Sequence, residues 1–303
     1  MNKDKTLYQV ITKGKYGYID NKGDLIIDAK FDYAEEFNDE LAVVGIEGKC
    51  GFINKNGEFV IEPKYKKANA FKEDLAAVQI GYSWGYIDKQ GNEVIQCTFL
   101  DAYDFNDGLA LAQIGGKQGY INKKGDIIVE PKYNYAHRFS EELAAVDING
   151  KYGYIDKQGS LVIQPKYIAA SDFSEGLAAV EVKNGWGYIN KQGDMIIAPK
   201  YEEADDFYGE YAAVGKDELY GYIDKEGNEI IPKKYNNVDI IEEGLIAVQI
   251  GDKWGYINMK DEMIIESKFD EAYEFVDGIA AVEMGNKLGY INKDGEYIWK
   301  PQK

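Results

Sequence analysis

The sequence predicts an all-β fold, built as an open β-superhelix, or solenoid, of nine stacked three-stranded β-meanders. Three observations support this prediction. A Gly-Tyr/Phe-Ile motif recurs at a constant spacing of 34 residues. Each period contains short apolar runs and turn residues, without the longer amphipathic pattern of a helix. The first and last periods differ from the others, as terminal repeats of an open stack do.

The repeat is marked by one glycine in each period. It occurs nine times, at Gly17, Gly51, Gly85, Gly119, Gly153, Gly187, Gly221, Gly255 and Gly289. A fixed period of this length is typical of repeat architectures. We therefore treat residues 1–303 as a single repeat domain. Its predicted units are 7–40, 41–74, 75–108, 109–142, 143–176, 177–210, 211–244, 245–278 and the truncated 279–303.

Each period contains three strand signals. The first is an apolar run such as residues 75–78, whose four successive apolar positions are typical of a strand buried on both faces. The Gly-Tyr-Ile strand follows across a tight turn such as Asn149-Gly150, which is a strong hairpin signal. The third strand carries an apolar pair such as Ile196-Ile197. In sequence, these strands predict an antiparallel meander.

The second and third strands are joined by an Asp/Asn-x-x-Gly turn, as in Asp156 to Gly159. This pattern predicts a type I turn that closes through a left-handed residue. The one period without the glycine has Asp261 there, and aspartate tolerates the left-handed region. Carboxylates beside a glycine also occur in calcium loops. However, each turn supplies too few oxygen ligands for calcium, so turn chemistry is the favoured interpretation.

A connector follows the third strand and carries aromatic residues and alanine spaced by three, as in Tyr167, Ala170 and Phe173. This spacing predicts a short 3₁₀-like turn packed against the neighbouring sheets. A glycine inside a strand leaves room for another segment to come close. We therefore expect the ring of the connector phenylalanine to lie over each repeat glycine.

Tryptophan precedes the repeat glycine in three periods, at Trp84, Trp186 and Trp254. Together with the Gly-Tyr-Ile motif, this pair resembles the WG-repeat family of bacterial proteins, from about residue 7 to residue 301. Elsewhere the tryptophan position holds Tyr, Cys, Gln or Leu, so the glycine is the fixed element. The resemblance implies a β-rich repeat module and supplies no activity and no catalytic residues.

Stacked sheets of this kind can climb as an open superhelix or close into a β-propeller-like ring. In the first period, Tyr8 and Gln9 replace the small residues that other periods carry, and Trp299 and Lys300 alter the last strand. Such changes are typical of terminal repeats that meet solvent. The chain also does not exchange a strand between its two ends. We therefore favour the open superhelix, with the closed ring as the alternative.

Composition argues against several partners and locations. The chain has 53 acidic and 35 basic residues, a net charge of −18, which repels nucleic acid and anionic membranes. Its N-terminal residues contain no apolar signal segment, and no run of about 18 apolar residues follows. Cys50 and Cys97 show neither metal-ligand spacing nor a disulfide framework. We expect a cytoplasmic protein without nucleic-acid or membrane partners.

No catalytic site is expected either. His137 is the only histidine, and it occupies a connector position that holds Glu35, Asn69 and Asp205 in other periods, as a solvated surface residue would. A nucleophilic triad cannot be assembled without it. The acidic positions mostly recur with the repeat, whereas an active site needs one singular constellation. We therefore predict no enzyme activity, cofactor or metal.

Two hypotheses for function remain. The leading one is a non-catalytic scaffold that binds another protein through a repeated acidic, tyrosine-bearing surface. The alternative is a multivalent glycan-binding module, because 25 tyrosines recur with glycines and Asx turns and could stack on sugars. A purely structural role is a third possibility.

Overall fold

The computed structural model describes residues 6–38 and 40–301, which form nine small antiparallel sheets. We number the sheets 1 to 9 along the chain. Two compact units are present. The first contains residues 6–20 and 24–166, with sheets 1 to 5, and the second contains residues 21–23 and the chain from residue 167 onward, with sheets 6 to 9.

The first unit is built from short strands in chain order. Sheet 1 comprises Tyr8–Thr12, Lys15–Ile19 and Leu25–Phe31. Sheet 2 comprises Tyr33–Ala34, Leu41–Ile46, Lys49–Asn54 and Phe59–Tyr65. Sheet 3 comprises Lys67–Ala68, Ala76–Ile80, Ser83–Ile87 and Glu93–Phe99. Sheet 4 comprises Asp101–Asn106, Leu109–Ile114, Lys117–Asn122 and Ile127–Tyr133. Sheet 5 comprises Leu143–Ile148, Lys151–Asp156 and Leu161–Tyr167.

The second unit repeats the same order. Sheet 6 comprises Ala169–Ala170, Leu177–Val182, Gly185–Asn190 and Met195–Tyr201. Sheet 7 comprises Glu203–Ala204, Tyr211–Lys216, Leu219–Asp224 and Glu229–Tyr235. Sheet 8 comprises Asn237–Glu242, Leu245–Ile250, Lys253–Asn258 and Met263–Phe269. Sheet 9 comprises Glu271–Val276, Ile279–Glu283, Leu288–Asn292 and Tyr297–Trp299. The last strand of each sheet lies at its edge, and we call it the outer strand.

The prediction of three-stranded sheets is wrong for seven of the nine sheets in the described residues. The connector forms an additional strand and not a 3₁₀-like turn. In sheet 2, for example, Tyr33 and Ala34 pair with Gly45 and Val44 of the apolar strand. The connector adopts this conformation because the apolar strand offers a free edge, which satisfies the connector's backbone groups.

The prediction that the apolar strand is buried on both faces is confirmed. In sheet 3, Ala76 and Val78 belong to a hydrophobic cluster shared with sheet 2. Leu75 and Ala77 belong to a separate cluster shared with sheet 4. The hydrophobic core is therefore divided into layers, each packed between two successive sheets.

The predicted turn chemistry is also confirmed. The carboxylate of Asp156 accepts hydrogen bonds from the backbone N–H groups of Gln158, at 3.0 Å, and Ser160, at 2.8 Å. Gly159 has a φ of 78°, and its counterpart Asp261 has a φ of 64°. Both residues lie in the left-handed region, as the turn requires.

The prediction that a connector phenylalanine ring lies over each repeat glycine is wrong. A Cβ atom on Gly153 would lie 2.5 Å from the carbonyl oxygen of Ile163 and 2.8 Å from the backbone nitrogen of Pro165. The backbone of the outer strand, which carries a β-bulge at this point in the repeat, crosses the glycine. The repeat glycine therefore allows another segment to come close, as predicted. That segment is the backbone of the outer strand and not a phenylalanine ring.

The open superhelix is wrong as well, because similarity to a solved structure, described below, supports the fold of a nine-bladed β-propeller. Along the chain, the turn glycine of one sheet packs on the outer strand of the preceding one, as Gly57 does on Ile27. In the second unit, Gly23 contacts the last strand at Ile298, one residue before the position that Ile27 holds in sheet 1, and its would-be Cβ lies 2.6 Å from the Ile298 carbonyl oxygen. The side chain of Tyr8, which was interpreted as a solvent-facing terminal feature, is only 9% exposed.

Candidate functional site in the connectors

The connectors are held in place by a hydrogen bond from the second strand of the preceding sheet. In sheet 6, the hydroxyl of Tyr188 donates to the backbone carbonyl of Asp205 at 2.8 Å. Its ring packs edge-on against the connector phenylalanine Phe207, with ring centroids 4.9 Å apart. The corresponding donor and acceptor pairs are Tyr18 and Glu35, Tyr86 and Tyr103, Tyr120 and His137, Tyr222 and Asp239, and Tyr256 and Tyr273.

This anchor leaves the acceptor's own side chain free to vary, because only its backbone is used. We call its position the acceptor position of the connector. It holds acidic, polar and aromatic side chains: Glu35, Asn69, Tyr103, His137, Ser171, Asp205, Asp239 and Tyr273. The fold therefore presents one side chain of variable chemistry per connector on a rigid backbone, which is how binding surfaces are commonly built.

In the first unit, the connectors of sheets 2 and 4 bring carboxylates near each other. Burial, together with the negative charge of Asp104, raises the pKa of the Glu35 carboxyl, and the hydroxyl of Tyr33 donates to Glu35 at 2.5 Å. The side-chain amide of Asn69 donates to Asp104 at 3.0 Å. A cleft of about 540 Å³ lies beside Glu35 and is also lined by Lys72.

In the second unit, acidic residues of three connectors come together. Burial, and after it the charge of Glu274, raises the pKa of the Asp239 carboxyl. Desolvation and the charge of Glu203 raise the pKa of Asp205. A small cleft of about 70 Å³ separates Asp205 from Asp239 and is lined by Tyr208. We call Asp205, Asp239 and Glu274 the acidic connector surface.

The tryptophans singled out in the sequence lie in the core and not on this surface. Trp84 and Trp254 are buried, and each belongs to a hydrophobic cluster between its own sheet and the next. Trp186 is half-buried and packs in the same way between sheets 6 and 7. Like the repeat glycines, these tryptophans contribute to the packing of the sheets in the described part of the chain.

His137 is less exposed than a solvated surface residue. It is half-buried, and its ring lies edge-on to that of Tyr152 with centroids 5.9 Å apart. Among residues 6–38 and 40–301, no three His, Cys, Asp or Glu side chains are arranged to hold a metal ion. Within the same residues, no helical segment has the length and hydropathy of a membrane span.

The repeat matches the model of one protein family along most of the chain. The model, described as WG containing repeat, matches eight segments, at residues 16–50, 51–82, 84–117, 119–152, 152–185, 186–220, 220–254 and 254–287. The chain belongs to the WG containing repeat family. The resemblance noted in the sequence is thus confirmed. No curated protein has a significantly similar sequence.

Similarity to solved structures supports the closed fold. A chain described as "Crystal structure of the eukaryotic initiation factor" aligns over 97% of this chain and 95% of its own, with a TM-score of 0.68 and 11% identity. "Dihydro-heme d1 dehydrogenase NirN in complex with DHE" aligns over 87% of this chain and 72% of its own, with a TM-score of 0.51 and 12% identity. At such identities the likeness shows the fold alone. That fold is the β-propeller, in place of the predicted solenoid.

The sequence analysis did not predict that the side chains of the candidate site lie on the connectors. A signal was present, because a tyrosine of the Gly-Tyr-Ile strand recurs seventeen residues before the acceptor position. The acceptor, however, is a backbone carbonyl that every residue type supplies. A sequence therefore shows the donor but not its target.

Proposed function

We propose that this repeat propeller is a non-catalytic scaffold, and that its acidic connector surface binds a lysine-rich segment of a partner protein. The observation that carries this proposal is the grouping of acidic side chains on neighbouring connectors, with Asp205 and Asp239 lining one cleft. Burial, and after it the charge of Glu274, raises the pKa of the Asp239 carboxyl, although the Ile240 N–H donates to it. A cation of a partner would compensate the negative charge of this group.

The charges on this surface support the same partner. Asp205, Asp239 and Glu274 form no ion pair with lysine or arginine within the described part of the chain. Lysines of the second unit pair instead with acidic residues of turns and hairpins, as Lys253 does with Asp270. A basic segment would be steered to this surface by the net charge of −18.

The burial of the repeat tyrosines weakens the glycan hypothesis. It depended on the recurrent tyrosines, and most tyrosines of the Gly-Tyr-Ile strand are fully buried. Tyr18, Tyr86, Tyr120, Tyr154, Tyr188 and Tyr256 have no exposed surface. Their rings are therefore committed to the core.

The test is binding of a fluorescent oligolysine peptide to the whole chain, measured by anisotropy, with an oligoglutamate peptide as the negative probe. We expect binding that weakens as salt rises, since surface charges are screened. Affinity should also increase from pH 4 to pH 7, because Asp239 must lose its proton to attract a cation.

The decisive variant is Asp239→Asn with Glu274→Gln, which removes two charges from the acidic connector surface. The matched control, Asp217→Asn with Glu218→Gln, removes two charges from an exposed hairpin of the same unit. We expect at least about tenfold weaker binding in the first variant and little change in the control. Equal losses in both would mean that only net charge matters, and the proposed site would be wrong.

A further inference from the structure

The layer between sheets 7 and 8 departs from the repeat at two core positions. The apolar run begins with leucine or isoleucine in the other eight periods, whereas in sheet 7 it begins with Tyr211. The connector of sheet 8 has Ile241 where seven connectors have phenylalanine: Phe37, Phe71, Phe105, Phe139, Phe173, Phe207 and Phe275. Tyr211 and Ile241 pack against the same hydrophobic cluster, so both changes fall on one layer of the core.

The missing phenylalanine ring leaves a cleft in this layer. In six other layers, the second-strand ring packs against the connector phenylalanine with centroids 4.7 to 4.9 Å apart. Tyr222 holds that place in sheet 7, and it lines a cleft of about 70 Å³ together with the smaller Ile241. Tyr222 is 3% and Ala213 is 7% exposed, whereas their counterparts in sheet 6, Tyr188 and Ala179, have no exposed surface. Solvent therefore reaches an inner wall that is closed in sheet 6.

The walls of this cleft are aromatic and acidic. Tyr208, Tyr211 and Tyr222 contribute to its lining, as do Asp205 and Asp239. The Tyr222 hydroxyl donates to the backbone carbonyl of Asp239, which fixes this ring beside the connector. Neither aspartate forms an ion pair with lysine or arginine in the described part of the chain. Aromatic faces and carboxylates both attract a positive charge, so the cleft favours a cation.

The remaining lining favours one kind of cation. Val238 and Ile240 are aliphatic and line the same cleft. A primary ammonium is strongly hydrated, and each of its N–H donors needs an acceptor. A methylated ammonium keeps its charge, and its methyl groups gain free energy from apolar contacts. The volume of about 70 Å³ is several times the roughly 10–15 Å³ that one water molecule requires, so it has room for a group such as trimethylammonium.

We propose that the cleft between Asp205 and Asp239 binds a methylated ammonium group, with tyrosine rings against its methyl groups and the two carboxylates balancing its charge. This inference rests on the proposed function, since both aspartates belong to the acidic connector surface, and it adds the class of ligand. A methylated lysine of a partner segment and a small quaternary ammonium compound carry the same group.

The first test uses choline, titrated into the whole chain by calorimetry. The control ligand is 3,3-dimethylbutan-1-ol, which has the shape of choline without its charge. We expect choline to bind and the neutral alcohol to bind at least about tenfold more weakly, because the rings and carboxylates act on the charge. Equal affinities for the two ligands would overturn the proposal.

The second test compares an oligolysine peptide with the same peptide trimethylated at one central lysine. Tighter binding of the trimethylated peptide, by at least about tenfold, would assign the group to a partner protein. Binding of choline without that gain would assign it to a small molecule. If the two peptides bound equally and choline did not bind, the acidic connector surface would stand and the methylammonium site would be wrong. If only the trimethylated peptide bound, this site would stand and the general affinity for lysine would be wrong.

Two variants restore the residues of the other repeats and should remove the site. Ile241→Phe returns the connector phenylalanine to the cleft, and Tyr211→Leu removes one aromatic wall. Each should weaken choline binding at least about tenfold, with thermal melts to show that the chain is folded. Phe139→Ile makes the opposite change in the first unit, and this matched control should leave binding unchanged. Full affinity in both Ile241→Phe and Tyr211→Leu would overturn the proposal, and if one of them does not fold, the other decides.

Discussion

The second strand of each sheet and the connector of the next recur with the same period, yet they tolerate very different side chains. After the repeat glycine, the residue is tyrosine, or phenylalanine in the one case of Phe52. At the acceptor position, the residue changes from Glu35 to Asn69 and on to Tyr103 and His137. The second strand packs through its side chains, whereas the connector is anchored through its backbone. The residue type therefore varies least among the repeats where the side chain is buried in the core. It varies most at the acceptor position, where a variable side chain can contribute to binding.

Substitution of the repeat glycine should have the largest effect. In Gly153→Ala, the new methyl group would lie 2.5 Å from the carbonyl oxygen of Ile163. Backbone cannot move aside as a flexible side chain can, so we expect a loss of about 3 kcal/mol, at the upper end of overpacking costs. Chemical denaturation of the variant and the parent measures this loss.

Gly45→Ala is the matched control for that change. Gly45 also lies in a strand, but its would-be Cβ is 3.0 Å from the Cβ of Tyr33, and other sheets hold glutamine or glutamate at this position. Because this contact is with a side chain, we expect a loss of about 1 kcal/mol, at the lower end of overpacking costs and well below that at Gly153. Equal losses at Gly45 and Gly153 would contradict the assignment of the close backbone crossing.

Removal of the anchoring hydroxyl should have the next largest effect. Tyr188→Phe keeps the ring against Phe207 but leaves the carbonyl of Asp205 without its donor. A lost buried hydrogen bond of this kind costs about 1 to 2 kcal/mol. The reverse change, Phe52→Tyr, supplies a hydroxyl where the chain has none, and we expect it to be neutral or stabilising. Thermal melts of both variants against the parent measure the two effects.

Much of this organisation could be predicted from the sequence, and the reasons are physical. The period, the doubly buried apolar strand and the Asx turn all follow from local patterns, as residues 75–78 and Asp156 show. Closure of the ring could not be predicted, because it depends on a contact between Gly23 and Ile298, which are far apart in sequence. The extra connector strand was also missed, since two residues such as Tyr33–Ala34 are too short to show alternation. The position of the candidate site could not be predicted either. The tyrosine hydroxyl that anchors each connector donates to a backbone carbonyl, which every residue type supplies.

The acidic connector surface should reveal itself in the pH dependence of stability. Because the folded state raises the pKa of Asp239, the folded protein binds its proton more tightly than the unfolded chain does. Stability is therefore lost as pH rises from the ordinary aspartate value, about 4, through the raised folded value. Asp239→Asn should be more stable than the parent at pH 7, and this advantage should shrink on acidification. The amide retains the bond from the Ile240 N–H.

Asp32→Asn is the control of opposite sign. Its carboxylate accepts from Lys15 and from the backbone N–H of Glu47, which holds its pKa below the usual range. Its contribution is therefore present at neutral pH and is lost as pH falls through the lowered folded value. The asparagine variant should be less stable than the parent at pH 7. Urea denaturation at several pH values distinguishes the two, and like signs at both positions would contradict the proposed electrostatics.

His137→Ala should have the smallest effect, and it tests the idea that an acceptor position matters through its backbone. The backbone N–H of His137 donates to Ala145 at 2.9 Å, and its carbonyl accepts from the Tyr120 hydroxyl at 2.6 Å. Alanine keeps both backbone bonds and removes the imidazole ring, with its edge contact to Tyr152. We expect a change in unfolding free energy within about 0.5 kcal/mol, against a clear loss for Tyr120→Phe, which breaks the anchor at the same connector. If alanine at 137 cost as much as phenylalanine at 120, the histidine ring itself would be structural, and the connector would no longer be a backbone-anchored platform for variable side chains.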